Sequence, residues 1–248
     1  MSDGGKVFKD QSGKPLTRRV TEDEISKTVS YLENLTGLDF SEVKDEDGYP
    51  EKWLGSTGRG DDSGDIDLSV DESEITKDQL IEKLKSAGFN AADIKKAGDN
   101  VHVKTPIGGN PENGFAQTDF MFSGDTKWQR FIMHGGEAKH ILLASLARHK
   151  GLKYSYKNGL IDESSGEATK DPNKIAKTLL GQMATPKHIL TVEGILSVIR
   201  RLPDYDQMVA QAKETLSKKG IELPESEKIE SYQTGTPEWF RRMMETCK

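Results

Sequence analysis

Apolar residues recur at spacings of three and four from Ile25 through Val29, Leu32 and Leu35, which predicts an amphipathic helix ending near Gly37. Thr21-Glu22-Asp23-Glu24 just ahead of it has the form of a capping box, with Thr21 as N-cap and Glu24 reaching back. From Trp53 the texture changes to short strands and glycine-rich turns. Ile66, Leu68 and Val70 alternate with Asp65, Asp67 and Ser69, the pattern of a half-buried strand with one polar face. Thr76 and Gln79 signal a second helix that places Leu80, Leu84 and Ala87 on one side and stops at Gly88. Val101-His102-Val103 is a short strand and residues 115–122 a longer one, with the Pro/Gly/Asn-rich residues 106–114 as the hairpin loop between them. A helix follows over 137–150.

Residues 155–171 are polar and turn-rich, the composition of a small hairpin or a linker. Beyond them the pattern is helical. Asp171-Pro172 opens one helix with proline at its first position, and Thr191 opens another through Ile195 and Ile199. Residues 204–219 form a third, and Thr236-Pro237 starts a last one carrying Trp239, Phe240, Met243 and Met244. The first 20 residues read as a mobile lead-in. These elements predict an α+β protein divided into a lead-in and helix (1–40), a mixed core (41–170) and a helical region (171–248).

Composition narrows the function classes. Thirty-five Lys and Arg stand against 41 Asp and Glu, a net charge of −6, and the mean hydropathy is −0.68. A nonspecific nucleic-acid coat protein draws its affinity from neutralising phosphates, and this balance argues against one. The longest uncharged apolar stretch, 141–147, is far short of the ~20 residues that span a bilayer. No apolar segment of the secretory type follows Met1, and the single cysteine, Cys247, excludes a disulfide framework and a cysteine-based zinc site. A cytoplasmic protein without a membrane partner is therefore expected. One segment runs against the overall charge: between Lys127 and Tyr156 there are six Lys and Arg and one acid, with His134, His140 and His149 added. It is read as a local basic surface or as an ordinary solvated helix face.

The chemistry concentrates in Gly55-Ser56-Thr57-Gly58-Arg59-Gly60-Asp61-Asp62-Ser63-Gly64-Asp65-Ile66-Asp67. Asp65 and Asp67 lie two apart on a strand, so both carboxylates leave one face. Alone, such a pair is more often a solvated strand edge. Here Gly55-Ser56 offers a close-approach turn with a hydroxyl, of the kind that presents backbone N–H groups to phosphate, and Arg59 can add a charge-assisted contact. Paired carboxylates suit Mg²⁺, which takes one or two of them and completes its shell with water and substrate phosphates.

This combination resembles the signature of the DNA polymerase beta-like nucleotidyltransferase superfamily. The resemblance implies a palm with a mixed sheet and flanking helices, and a third carboxylate on a neighbouring strand. Gln117-Thr118-Asp119-Phe120-Met121-Phe122 is similar to that strand, with Asp119 as the acid. His134-Gly135-Gly136-Glu137 and the helix after it look like the end of the palm in family X DNA polymerases. The match covers residues 55–160. It departs at Ile132, Met133, His140 and Ala144, where those enzymes place residues that line the sugar pocket and check the base pair, and the residues before the core are too few for a lyase-type domain.

The resemblance implies attack of a hydroxyl on the α-phosphorus of a nucleoside triphosphate, with pyrophosphate released. Two Mg²⁺ ions, or Mn²⁺ in their place, are expected on Asp65, Asp67 and Asp119. Asp119 would hold the ion that activates the hydroxyl and is a candidate acceptor for its proton. Gly55, Ser56, Arg59, Ser63, Gly64, His134 and Gly135 are the expected nucleotide-binding residues. The expected acceptor is a nucleic-acid 3′ end. The alternatives are template-independent transfer to tRNA, a protein or a small molecule, and a non-catalytic binding or assembly module on the same fold. Trp53, Phe120 and Phe122 are assigned to the core. Trp128 is assigned to packing ahead of base stacking, and Asp61 and Asp62 to solvent.

Overall fold

The computed structural model describes residues 5–44, 48–58 and 61–223. The helix expected from Thr236, and Cys247, lie outside them. The chain forms two compact units, Met1–His134 and Gly135–Lys248. The first is α+β with a mixed four-stranded sheet.

In the first unit β1 (Val20–Thr21) runs into α1 (Glu22–Thr36). The capping box at Thr21 and Glu24 is formed, and Gly37 ends the helix in the left-handed conformation. Next come β2 (Asp62–Ser63), β3 (Ile66–Asp71), α2 (Lys77–Ser86), β4 (Ile94–Ala97), β5 (Asn100–Pro106), β6 (Phe115–Ser123) and α3 (Thr126–Met133). The sheet order is β3-β6-β5-β4. β3 and β6 are parallel, and the other two pairs are antiparallel. Parallel neighbours need a crossover, and α2 with the β4–β5 hairpin supplies it.

The period of two along each strand divides the sheet into an apolar and a polar face. Ile66, Leu68, Val70, Val101, Val103, Ala116, Phe120 and Phe122 form one core with Ile25, Val29 and Leu32 of α1 and Leu80 and Leu84 of α2. Each such side chain contributes about 1.5–3 kcal/mol by leaving water. The opposite side chains, Asp67, Asp119, His102 and Lys95, share one row across the four strands. Asp67 is registered against Asp119, Asp119 against His102, and His102 against Lys95.

The second unit holds α4 (Gly136–His149), then β7 (Lys153–Ser155), β8 (Gly159–Asp162) and β9 (Glu167–Thr169), which form a small antiparallel sheet where a hairpin or linker was expected. α5 (Pro172–Leu180), α6 (Val192–Ile199) and α7 (Tyr205–Ser217) follow the helical pattern, with Asp171 and Thr191 as caps. Lys139 and His140 of α4 are buried, so the basic segment is partly interior rather than a continuous basic surface. Burial lowers the Lys139 pKa to about 7, and the His140 Nδ1 lies 2.9 Å from the Tyr154 hydroxyl. No helix among the described residues is long and apolar enough to cross a membrane.

The described part of the first 20 residues corrects the expectation of a mobile lead-in. Residues 5–19 form an arm bound to the sheet. The Asp10 carboxylate turns the chain by accepting from the Ser12 and Lys14 N–H groups at 2.8 and 3.0 Å, and Leu16 N–H closes the turn on Phe8 O at 2.9 Å. Arg18 N–H donates to Phe115 O, Val7 N–H to the Gln117 side chain, and Lys95 Nζ to Val7 O. Phe8 is only 3% exposed, beneath the Lys95 ammonium. Phe8→Ala is therefore expected to cost about 3 kcal/mol in a urea unfolding experiment, within the range for a buried phenylalanine. No loss of stability would mean that the arm is loose in solution.

Candidate metal centre

Asp67 sits in β3 and Asp65 immediately before it, while Asp119 is the residue of β6 directly across from Asp67. Alternation sends all three carboxylates to the polar face, because the apolar residues between them must reach the core. One oxygen from each can be chosen so that all lie within 4.8 Å of one another.

The Gly-Ser turn is built onto the same strand. Trp53 bridges Leu68 in antiparallel sense, Ser69 N–H donates to Lys52 O, and Leu54 N–H donates to Asp67 O at 2.9 Å. The Asp67 N–H in turn donates to the Thr57 hydroxyl at 2.8 Å. Both backbone groups of Asp67 are thus committed to the turn. Gly55 has φ +58°, and a Cβ there would stand 3.1 Å from Asp67 Oδ2, so both its backbone and its neighbour call for glycine. The Ser56 hydroxyl meets the Ser63 hydroxyl at 2.9 Å, joining the two ends of the loop, and Gly64 abuts Gly5 of the arm. Asp62 is exposed and paired with Arg19 at 2.8 Å. Arg59 lies outside the described residues. His134 caps the C-terminus of α3. Gly135 opens α4 in the second unit, where a Cβ would come within 2.1 Å of Leu190 O.

Three residues that the sequence reading did not single out surround this site. His102 Nδ1 lies 2.7 Å from Asp119 Oδ1. Gln117 Nε2 donates to both Asp119 oxygens at 3.0 and 3.1 Å, and its Oε1 accepts from Val7 N–H at 2.9 Å. Gln129 of α3 accepts from the Ser69 hydroxyl at 2.6 Å and donates to Met121 O, which seats the helix at one end of the polar row. α3 was not among the expected elements. Asp125 caps the helix, and the Trp128 and Phe131 rings stack at 5.1 Å.

The electrostatics are those of three acids crowded together and partly withdrawn from water. Burial, then the charges of Asp65 and Asp119, push the Asp67 carboxyl well above its ordinary value. Burial and then Asp119 raise Asp65. A hydrogen bond from Gly5 and the charge of Arg19 pull it back in part. None of the salt bridges among the described residues involves Asp65 or Asp67. A lone cationic side chain does not neutralise three clustered acids. A divalent ion does, and all-oxygen donors are what Mg²⁺ and Mn²⁺ take. Neither a scan of protein-family models nor a search of curated proteins finds a match to the chain.

The raised carboxyls fix the sign of the pH dependence. The native state holds protons on Asp65 and Asp67 more tightly than the unfolded chain does, so the metal-free protein gains stability as pH falls from 7 through the raised native values. That gain is complete near the unfolded value of about 3.9. Glu24, held at about 2 chiefly by Arg18, works in the opposite sense: its contribution declines as pH falls below the ordinary carboxylate range. In thermal melts, mild acidification or Asp67→Asn should raise the Tm of metal-free protein. Millimolar Mg²⁺ should raise it for the wild type and not for Asp67→Asn. A wild-type Tm indifferent to both pH and Mg²⁺ would contradict this account.

Proposed function

We propose that the protein is a divalent-metal-dependent nucleotidyltransferase with the polymerase beta-like palm, moving a nucleoside monophosphate from a triphosphate to a hydroxyl. The observation that carries this reading is the convergence of Asp65, Asp67 and Asp119 beside a Gly-Ser turn hydrogen-bonded to the backbone of Asp67. Sheet order supports it too, because the two acid-bearing strands are adjacent and parallel.

Asp65 and Asp67 would hold both ions, and Asp119 one of them. Divalent ions held there supply charge neutralisation for the attacking and leaving oxygens of an in-line displacement. Ser56 and the backbone of residues 55–58 face the β- and γ-phosphates in this reading, with Arg59, Gly64 and His134 assigned to the nucleotide by the resemblance, while Ser63 is buried and holds the Ser56 hydroxyl. The acceptor hydroxyl gives up its proton to solvent as its oxygen forms the new bond to the α-phosphorus, and pyrophosphate departs with the electrons of the bond it leaves. Positioning and electrostatics suffice for such a transfer, and no side-chain nucleophile takes part. A nucleic-acid 3′ end remains the acceptor of choice.

The test incubates the protein with Mg²⁺ and each labelled nucleoside triphosphate, offering primer–template DNA, single-stranded DNA, tRNA and no added acceptor. Label should appear on a nucleic-acid end with release of pyrophosphate, and Asp65→Ala/Asp67→Ala should lower the rate at least ~100-fold. Label on primer only with template present identifies a polymerase, whereas label on the protein alone moves the acceptor to a side chain. No Asp-dependent label and no triphosphate binding would sink the reading.

A further inference from the structure

The third carboxylate is held by His102 of the neighbouring strand β5 and by Gln117 of its own strand, whose amide is anchored to the arm. An ionised carboxylate offers about four lone-pair positions, two on each oxygen. Asp119 Oδ1 takes His102 Nδ1 at 2.7 Å and Gln117 Nε2 at 3.0 Å, while Oδ2 takes Gln117 alone at 3.1 Å. Oδ1 is therefore filled, and one position on Oδ2 is left. Because a carboxylate only accepts, His102 must donate, which places its proton on Nδ1.

His102 has little freedom to do otherwise. Its side chain is 13% exposed, and its backbone is registered between Asp119 and Lys95 in the row across the sheet. At the far end of that row Lys95 holds Val7 O at 2.8 Å, and Val7 N–H fixes the Gln117 amide that completes the grip on Asp119. The arm, β4, β5 and β6 thus converge on the orientation of one carboxylate.

We propose that His102 is a positioning residue for metal binding: by filling Oδ1 it turns Oδ2 of Asp119 toward the ion and fixes the carboxylate's rotation. The proposal rests on the metal-centre reading above, and its test keeps the two apart by measuring binding of Mn²⁺ alone, by electron paramagnetic resonance, with the full-length protein. Three substitutions separate donation from packing. His102→Ala removes the donor. His102→Asn places an amide N–H where Nδ1–H stood. His102→Gln carries its amide one bond further and misses that place.

Partners that orient a metal ligand are typically worth 10–100-fold in affinity. The Ala and Gln variants should accordingly bind Mn²⁺ 10–100-fold more weakly than wild type, and Asn within about threefold of it, with similar thermal melts for the metal-free Asn and Gln proteins. If His102→Ala does not fold, the Asn–Gln contrast carries the test. Wild-type affinity in His102→Ala or His102→Gln, or an Asn variant as weak as Gln, would overturn the positioning role while leaving the metal centre intact. A wild-type protein that binds no Mn²⁺ at all would overturn the metal centre and the positioning role with it.

Discussion

The structure of the first unit turns on the repulsion among three carboxylates that a sheet register forces together. Parallel pairing sets Asp67 directly opposite Asp119, and the two-residue period adds Asp65 to the same face. Sliding the register by one would relieve the crowding, but it would turn Ile66, Leu68 and Val70 out of the core. The apolar face therefore holds the acids where they are costly. Several side chains worth about 1.5–3 kcal/mol each press on that register, more than enough to offset a cluster that a bound cation would in any case neutralise.

That division of labour explains why the polar face is so heavily braced. Asp67 has both backbone groups tied to the preceding turn, Asp119 has three hydrogen bonds on its carboxylate, and Asp65 receives one from Gly5. A carboxylate free to rotate would swing away from its neighbours and leave no common point for an ion. In the proposed reading, holding the acids together costs stability in the metal-free protein and would be returned as metal affinity, the trade expected where a site departs from the optimum for folding alone.

Much of this could be read from the chain because it is local. The capping boxes at Thr21 and Thr76 lie within four residues, and the alternation that sets Asp65 and Asp67 on one face lies within six. Asp119 was legible as the one charged residue of its strand. What escaped depends on separation along the chain. Val7 reaches Gln117 across 110 residues, and His102 meets Asp119 only through a register that no short window contains. The arm carries little apolar material besides Val7, Phe8 and Leu16, so its pattern is that of a tail, although Phe8 is buried. β4 was hidden for another reason: Ile94-Lys95-Lys96-Ala97 is an edge strand, and its lysines are the charges that keep edges from pairing with other chains.

The −6 net charge is consistent with this arrangement once the acids are sorted by what they touch. Exposed acids such as Asp62, Asp78 and Asp99 are paired with Arg19, Lys96 and Lys77, and pairs of that kind contribute little and are screened by salt. Among the described residues Asp65 and Asp67 have no salt-bridge partner, and the charge of Arg19 offsets that of Asp65 only in part. The basic stretch from Lys127 to Tyr156 does not balance them as a single surface, since Lys139 and His140 lie inside the second unit. In the proposed function, attraction for a polyphosphate at this site would come mainly from the cations held there and from a few short-range donors. Such a site grips a small number of phosphates tightly rather than a long backbone loosely, which suits an enzyme acting at an end better than one that coats a strand.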